Sequence, residues 1–167
     1  MSTGLVVEDW RLKPAIDEDI DELMGWFDTQ RSINEWGGPN FRYPFDRETF
    51  VEDCHWPDMA TYCVYSEKKI MCAFGQLYER DRRINLARLI AHPHMRGQGI
   101  GRRLVTMLMT IGVELFELKE YSLFVYRDNA PALKCYQSLG FEMHDYPPDE
   151  SMADVCYYLT RSVVRPE

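Results

Sequence analysis

Residues 89–104 read LIAHPHMRGQGIGRRL, and the fold turns on this stretch: an apolar strand ending near Ala91 passes through a Gly-rich turn straight into an amphipathic helix. Gly97, Gly99 and Gly101 strip side chains from the turn, so an anion can come close to the main chain. The first N–H groups of the helix have no intrahelical acceptor and sit at the positive end of its dipole, which makes them donors to a phosphate. Arg96, Arg102 and Arg103 add positive charge beside them.

Spacing separates this loop from its look-alikes. A dinucleotide fingerprint, Gly-x-Gly-x-x-Gly, needs its last glycine where Arg102 stands, and a nucleotide-hydrolase loop ends in Gly-Lys-Ser/Thr, which is missing here. What matches is Arg-x-x-Gly-x-Gly/Ala after a strand, carried by Arg96, Gly97, Gln98, Gly99, Ile100 and Gly101. It resembles the acetyl-CoA pyrophosphate loop of the Gcn5-related N-acetyltransferases (GNAT). A second segment, 121–141, reads YSLFVYRDNAPALKCYQSLGF: a strand, a polar turn, and a short helix with Pro131 in its first turn and Gly140 beyond its last. It resembles the closing pattern of the same family, with Asn129, Ala132, Tyr136, Gly140 and Phe141 at the matching places. The resemblance implies an α/β (α+β) fold, one GNAT acyltransferase domain over 1–167, built on a mixed, twisted sheet with helices on both faces.

Composition agrees with one domain. At 167 residues and 46% hydrophobic content the chain can bury a core without staples, and no Pro/Gly/Ser-rich stretch divides it. The amino terminus is too polar for a signal peptide and no apolar run reaches membrane-spanning length, so the expected compartment is the cytoplasm, with no membrane partner. The five cysteines form no Cys-x-x-Cys pair and lie among apolar neighbours, as reduced core thiols do. His92 and His94 lie two apart with no third ligand at a suitable spacing, so no metal is expected. A formal net charge of −8 argues against a nucleic-acid partner and suits a cationic one.

Periodicity sets the elements. A strand is expected over 5–12, then a helix over 17–27 burying Ile20, Leu23, Met24 and Phe27, a helical turn over 32–36, and a segment over 47–55 with Phe50 and Val51 inward. A hairpin of 61–66 with 70–80 leads into a strand over 84–91. The long helix, 99–118, carries one apolar stripe of Leu104, Leu108, Ile111 and Leu115 and turns Arg102, Arg103 and Glu117 outward. Strands over 121–126 and 155–161 complete the sheet.

The resemblance also implies roles. The backbone of Leu89, Ile90 and Ala91 would bond the pantetheine arm of acetyl-CoA, with an N–H near Ile90 polarising the thioester carbonyl. The segment from Arg96 through Gly97, Gln98, Gly99, Ile100 and Gly101 to Arg102 would hold the pyrophosphate, Asn129 would contact the arm, and Tyr136 would protonate the departing thiolate. Some family members carry a glutamate as general base where this chain has Phe124, or Asn85 and Leu86, so Glu79 on the preceding strand is the nearest acidic candidate, with a water chain to solvent as the alternative. Trp36, Phe41 and Tyr43 belong to an aromatic stretch, 36–45, that either walls the acceptor side by cation–π attraction or packs a turn against the core. Asp145, Asp149 and Glu150 before the last strand suit a cationic amine.

Two functions follow. One is an acetyl-CoA-dependent N-acetyltransferase, transferring acetyl to a primary amine of a small molecule or of a protein, with acetyl-CoA as co-substrate, no metal, and a homodimer compatible with the family. The other is a non-catalytic acetyl-CoA-binding sensor or docking module.

Overall fold

The computed structural model describes residues 9–148 and 151–163. Among these, seven strands form one sheet: β1 (Arg11–Pro14), β2 (Ala60–Tyr65), β3 (Met71–Arg80), β4 (Arg83–Ala91), β5 (Glu120–Tyr126), β6 (Glu142–His144) and β7 (Cys156–Ser162). They lie in the order β1-β2-β3-β4-β5-β7-β6. Only the β4/β5 pair is parallel; the other neighbours are antiparallel. Five helices accompany them among the described residues: α1 (Asp17–Met24), α2 (Gln30–Gly37), α3 (Arg47–Asp53), α4 (Ile100–Leu115) and α5 (Ala130–Ser138).

The expected strand over 5–12 lies partly outside the described residues, and its described part begins only at Arg11. β6 departs from expectation altogether: three exposed residues, paired as Glu142↔Thr160, Met143↔Leu159 and His144↔Tyr158, make a strand too short and too wet to show an apolar rhythm.

Local chemistry starts the helices. The Thr29 hydroxyl accepts the Ser32 N–H at 3.0 Å and opens α2, and the Asp46 carboxylate accepts the Thr49 N–H at 2.8 Å and opens α3. At α1 the Asp19 carboxylate accepts the Ile16 N–H at 2.9 Å and the Tyr65 hydroxyl, and burial raises its pKa. Helix α4 ends at Leu115, short of 118, where Phe116 turns extended at φ −130°.

Side-chain alternation along the strands builds two cores. Ala73 and Leu77 of β3, Ile84 and Leu86 of β4 and Leu123 and Val125 of β5 face α4 with Leu104 and Leu108. Phe74 of β3 and Cys63 of β2 face the opposite way, into the cluster of Ile20, Leu23, Phe27, Ile33, Phe41 and Phe50 from the helical region α1–α3. Each such fully buried side chain contributes about 1.5–3 kcal/mol. The buried stripe of α4 runs Ile100, Leu104, Val105, Leu108, Met109 and Gly112, while Leu115, expected inside, is 46% exposed. Close approach explains the shift: a Cβ on Gly112 would stand 3.1 Å from Ile84 Cγ2, and one on Gly75 2.6 Å from Leu108 Cδ1, so glycines set the line of contact between helix and sheet.

Candidate active site

The parallel pair stops early. β4 and β5 are in register only at Ile84↔Tyr121, Asn85↔Ser122 and Leu86↔Leu123; beyond Leu86 the two strands part. At the same level β4 bulges, its pairing with β3 jumping from Gln76↔Ala87 to Phe74↔Ile90, so that Arg88 and Leu89 share the place opposite Gly75. Arg88 sits in the left-handed region at φ +50°, a conformation that costs a side-chain-bearing residue about 1–2 kcal/mol. The splay opens a cleft of ≈ 300 Å³. Among the described residues, the edge of β4 from Leu89 to Ala91 on the β5 side has no strand partner.

The Gly-rich turn lies at the end of that edge. His92 shapes its start: its N–H bonds the Cys72 carbonyl at 2.7 Å, its carbonyl takes the Met95 N–H at 2.9 Å, and its Nδ1 accepts the His94 N–H at 3.1 Å. Gly97 and Gly99 have φ +82° and +76°, so both need the freedom of glycine. Gly101 is different. Its φ is ordinary and a Cβ there would meet nothing within 4 Å, so neither the backbone nor the packing of this chain calls for glycine. The first intrahelical bond of α4 runs from the Arg103 N–H to the Gly99 carbonyl at 3.2 Å, which leaves the N–H groups of Ile100, Gly101 and Arg102 pointing out of the helix end. Arg96 and Gln98 are exposed beside them, and Arg102 reaches the Ser138 hydroxyl, tying α4 to α5.

Asn129 and Tyr136 both line the cleft. Asn129 caps α5, its side-chain oxygen accepting the Ala132 N–H at 3.3 Å. The Tyr136 ring packs edge-on to Phe141 at 6.4 Å, and its hydroxyl has no protein hydrogen-bond partner among the described residues. Part of its surface still opens to the cleft, but the dense surroundings hold its pKa well above the ordinary tyrosine range, so the proton stays on oxygen.

Three expected residues fall elsewhere. Glu79 is exposed on the sheet face it shares with Leu77 and Ile84, the α4 side, whereas the cleft is lined by its neighbours Tyr78 and Arg80. Phe41 is 4% exposed in the aromatic core, and Tyr43 spends its hydroxyl on the Asp28 carbonyl at 2.8 Å; neither lines the cleft. Trp36 does line it, but as part of a stack with Phe27 at 4.7 Å and Phe50 at 5.9 Å. Asp149 and Glu150 lie outside the described residues, and Asp145 is not in the lining.

Other polar residues line the cleft. Arg80 lies 4.9 Å from the Phe124 ring and reaches the Tyr78 hydroxyl at 3.3 Å. The Arg88 guanidinium bonds the Gln76 side-chain oxygen at 3.1 Å, and Gln76 in turn is fixed by the Cys54 carbonyl at 2.7 Å. On the floor the Ser122 hydroxyl donates to Asn85 Oδ1 at 2.9 Å. Period-two alternation from buried Phe74 assigns Gln76, Tyr78 and Arg80 to this face, so part of the list is in the sequence; the bulge that aims Arg88 is not.

No described helix is long and apolar enough to cross a membrane. The spermidine N-acetyltransferase of Vibrio cholerae, solved with CoA and spermine, superposes with a TM-score of 0.71 over 92% of this chain and 95% of that one, at 17% identity. A probable spermine N(1)-acetyltransferase of Bacillus subtilis subsp. natto is 29% identical over 70 residues, 40% of this chain and 46% of that protein. An N-acetyltransferase 9-like protein of Nematostella vectensis is 30% identical over 53 residues, 32% of this chain and 27% of its own length. The chain thus matches less than half the length of either curated relative. The acetyltransferase (GNAT) family model matches residues 30–141, from α2 through the splayed strands and the Gly-rich turn to Phe141. With two thirds of its length inside that match, the chain belongs to the GNAT acetyltransferase family.

Proposed function

We propose that the protein transfers acetyl from acetyl-CoA to the primary amine of a small molecule. Gly101 carries the reading: a glycine in the first turn of a helix, needed by neither backbone nor packing, is accounted for by a ligand that comes up against the main chain there. The unpaired edge of β4 runs from that turn back to Leu89, which lines the cleft together with Tyr136, and this supports an extended ligand arm along it.

In this reading the N–H groups of Ile100, Gly101 and Arg102 take the pyrophosphate, with Arg96 and Gln98 beside it. Leu89, Ile90 and Ala91 bond the arm through their backbone, and Asn129 holds it from the opposite wall. The amine nitrogen attacks the thioester carbon, a C–N bond forms, and an N–H close to Ile90 steadies the charge that builds on oxygen. As the C–S bond breaks, Tyr136 gives its proton to the thiolate sulfur and is reprotonated from solvent. The amine loses a proton to water through the open mouth of the cleft, since Glu35, the one carboxylate lining it among the described residues, is held by Arg31 at 2.8 Å. Release of CoA thiol, followed with a thiol-reactive chromophore while amines are added, tests the reading. Amine-dependent release is expected; CoA binding with no release above background for any amine would leave the sensor reading in its place.

A further inference from the structure

We infer that the acceptor amine carries a carboxylate, and that Arg88 receives it. This rests on the transferase reading above and names its substrate class. A chain of formal charge −8 lines its cleft, among the described residues, with two arginines, Arg80 and Arg88, against the single acid Glu35; Glu35 is ion-paired to Arg31 and Arg80 to Asp81 at 3.9 Å, which leaves Arg88 as the lining charge with no counter-ion among them. At that point of the cleft an anion is favoured over a second cation.

Arg88 is the sharper observation. The bulge in β4 aims it to the helical side of the sheet, toward Gln76 and Met59. One amino group bonds Gln76 Oε1, a neutral acceptor, and touches Met59 Sδ at 3.8 Å; among the described residues no carboxylate pairs with it. Its Nε is buried without a hydrogen-bond partner. A guanidinium half-withdrawn from water with no counter-charge is incomplete, and a carboxylate entering from the cleft completes it at the terminal amino groups, the Nε being closed off by protein. Trp36 fixes the Arg88 backbone from α2 and Gln76 holds its guanidinium, so the side chain does not need to be organised by the ligand.

Matched acceptors test this without knowing the natural one: an amino carboxylate, its amide, and the diamine of equal length, over chains of two to six carbons. The carboxylate member is expected to lead in kcat/KM by at least tenfold, chiefly through KM. Arg88→Gln is expected to erase that lead and Arg88→Lys to keep part of it, with CoA affinity by calorimetry unchanged in both. Preference for the diamine, or an Arg88→Gln variant that slows all three acceptors equally, would overturn the inference. Should the variants fail to fold, the wild-type protein still answers. Straight-chain alkanoates lacking the amine are expected to compete with the amine and not with acetyl-CoA, and indifference to them at every length would overturn it. Calorimetry of N-acetylated amino carboxylates on the CoA-loaded protein separates the two readings. Binding that Arg88→Gln weakens at least tenfold, in a protein that transfers acetyl to nothing, keeps the carboxylate site and removes the transferase; transfer without such binding does the reverse.

Discussion

The indole Nε1 of Trp36 donates a 2.7 Å hydrogen bond to the backbone carbonyl of Arg88, joining α2 to the bulge of β4 across 52 residues of sequence. The same ring stacks on Phe50 and packs against Phe74, so Trp36 is a strut between the aromatic core and the cleft as well as part of the wall. Trp36→Ala should therefore destabilise by about 3 kcal/mol, the lower end for loss of a large aromatic because the ring is only half-buried. Trp36→Phe, which keeps the packing and loses the bond, should cost about 1 kcal/mol. Urea unfolding midpoints read both. A rise in acceptor KM with wild-type stability would return Trp36 to a purely substrate-facing role.

Gly101→Leu separates ligand space from fold. Leucine is a better helix former than glycine by up to about 1 kcal/mol, and its side chain enters open space, so thermal stability should hold or rise while CoA affinity by calorimetry falls at least tenfold. Gly101→Ala, which puts a single methyl into the same space, should keep stability and weaken CoA binding by a smaller factor than leucine does. Gly99→Val is a poorer probe, because φ +76° makes it lose stability together with CoA binding.

Removing only the hydroxyl of Tyr136 isolates its proton. Tyr136→Phe should lower turnover by about 10²-fold with little change in the Kd of acetyl-CoA. Because burial raises the pKa of this acid in the folded state, folding favours the protonated form: its contribution to stability is whole below the unfolded value of about 10 and is lost as pH rises through it toward the folded one. Tyr136→Phe should flatten that alkaline loss in unfolding curves taken from about pH 8 to 11. Wild-type turnover in the variant, with chemistry limiting, would remove Tyr136 as the acid.

At the edge of the aromatic core, Asp53 takes the Arg42 N–H at 2.9 Å and its guanidinium at 2.8 Å, which holds the carboxyl below its usual range. A depressed acid stabilises above its unfolded pKa of about 3.9 and loses that contribution as pH falls. Solvent screens the half-exposed Arg42, so Asp53→Asn should cost about 1 kcal/mol at pH 7, and the difference from wild type should close as the pH approaches 2–3. A constant difference across that range would mean that charge contributes nothing there.

The Gly-rich turn is legible in the sequence because backbone demands select glycine directly: Gly97 and Gly99 need positive φ, and the strand and helix around them carry different periodicities. The cap of α5 is legible for the same reason, in Asn129 and Pro131. The face of Glu79 was also within reach, since it lies two residues beyond Leu77 and must share its side of the sheet, but nearness along the chain to β4 favours it as a base until the register is known. The bulge at Arg88 leaves no pattern, because two residues opposite one cost the sequence nothing visible and no glycine marks the left-handed turn. Phe41 and Tyr43 read alike as wall or core; only the distant partners Phe50 and Asp28 decide between them.

Acetyl-CoA labelled with carbon-13 at the acetyl carbonyl, incubated with the protein and the amine panel and followed by mass spectrometry, tests most directly whether the cradle of Gly101 and the cleft of Tyr136 form one transfer site. The label is expected on the amine nitrogen, with release of one CoA per product, and transfer is expected to fall at least tenfold in folded Gly101→Leu at subsaturating acetyl-CoA. Label recovered only as acetate, or transfer untouched by that substitution, would contradict it.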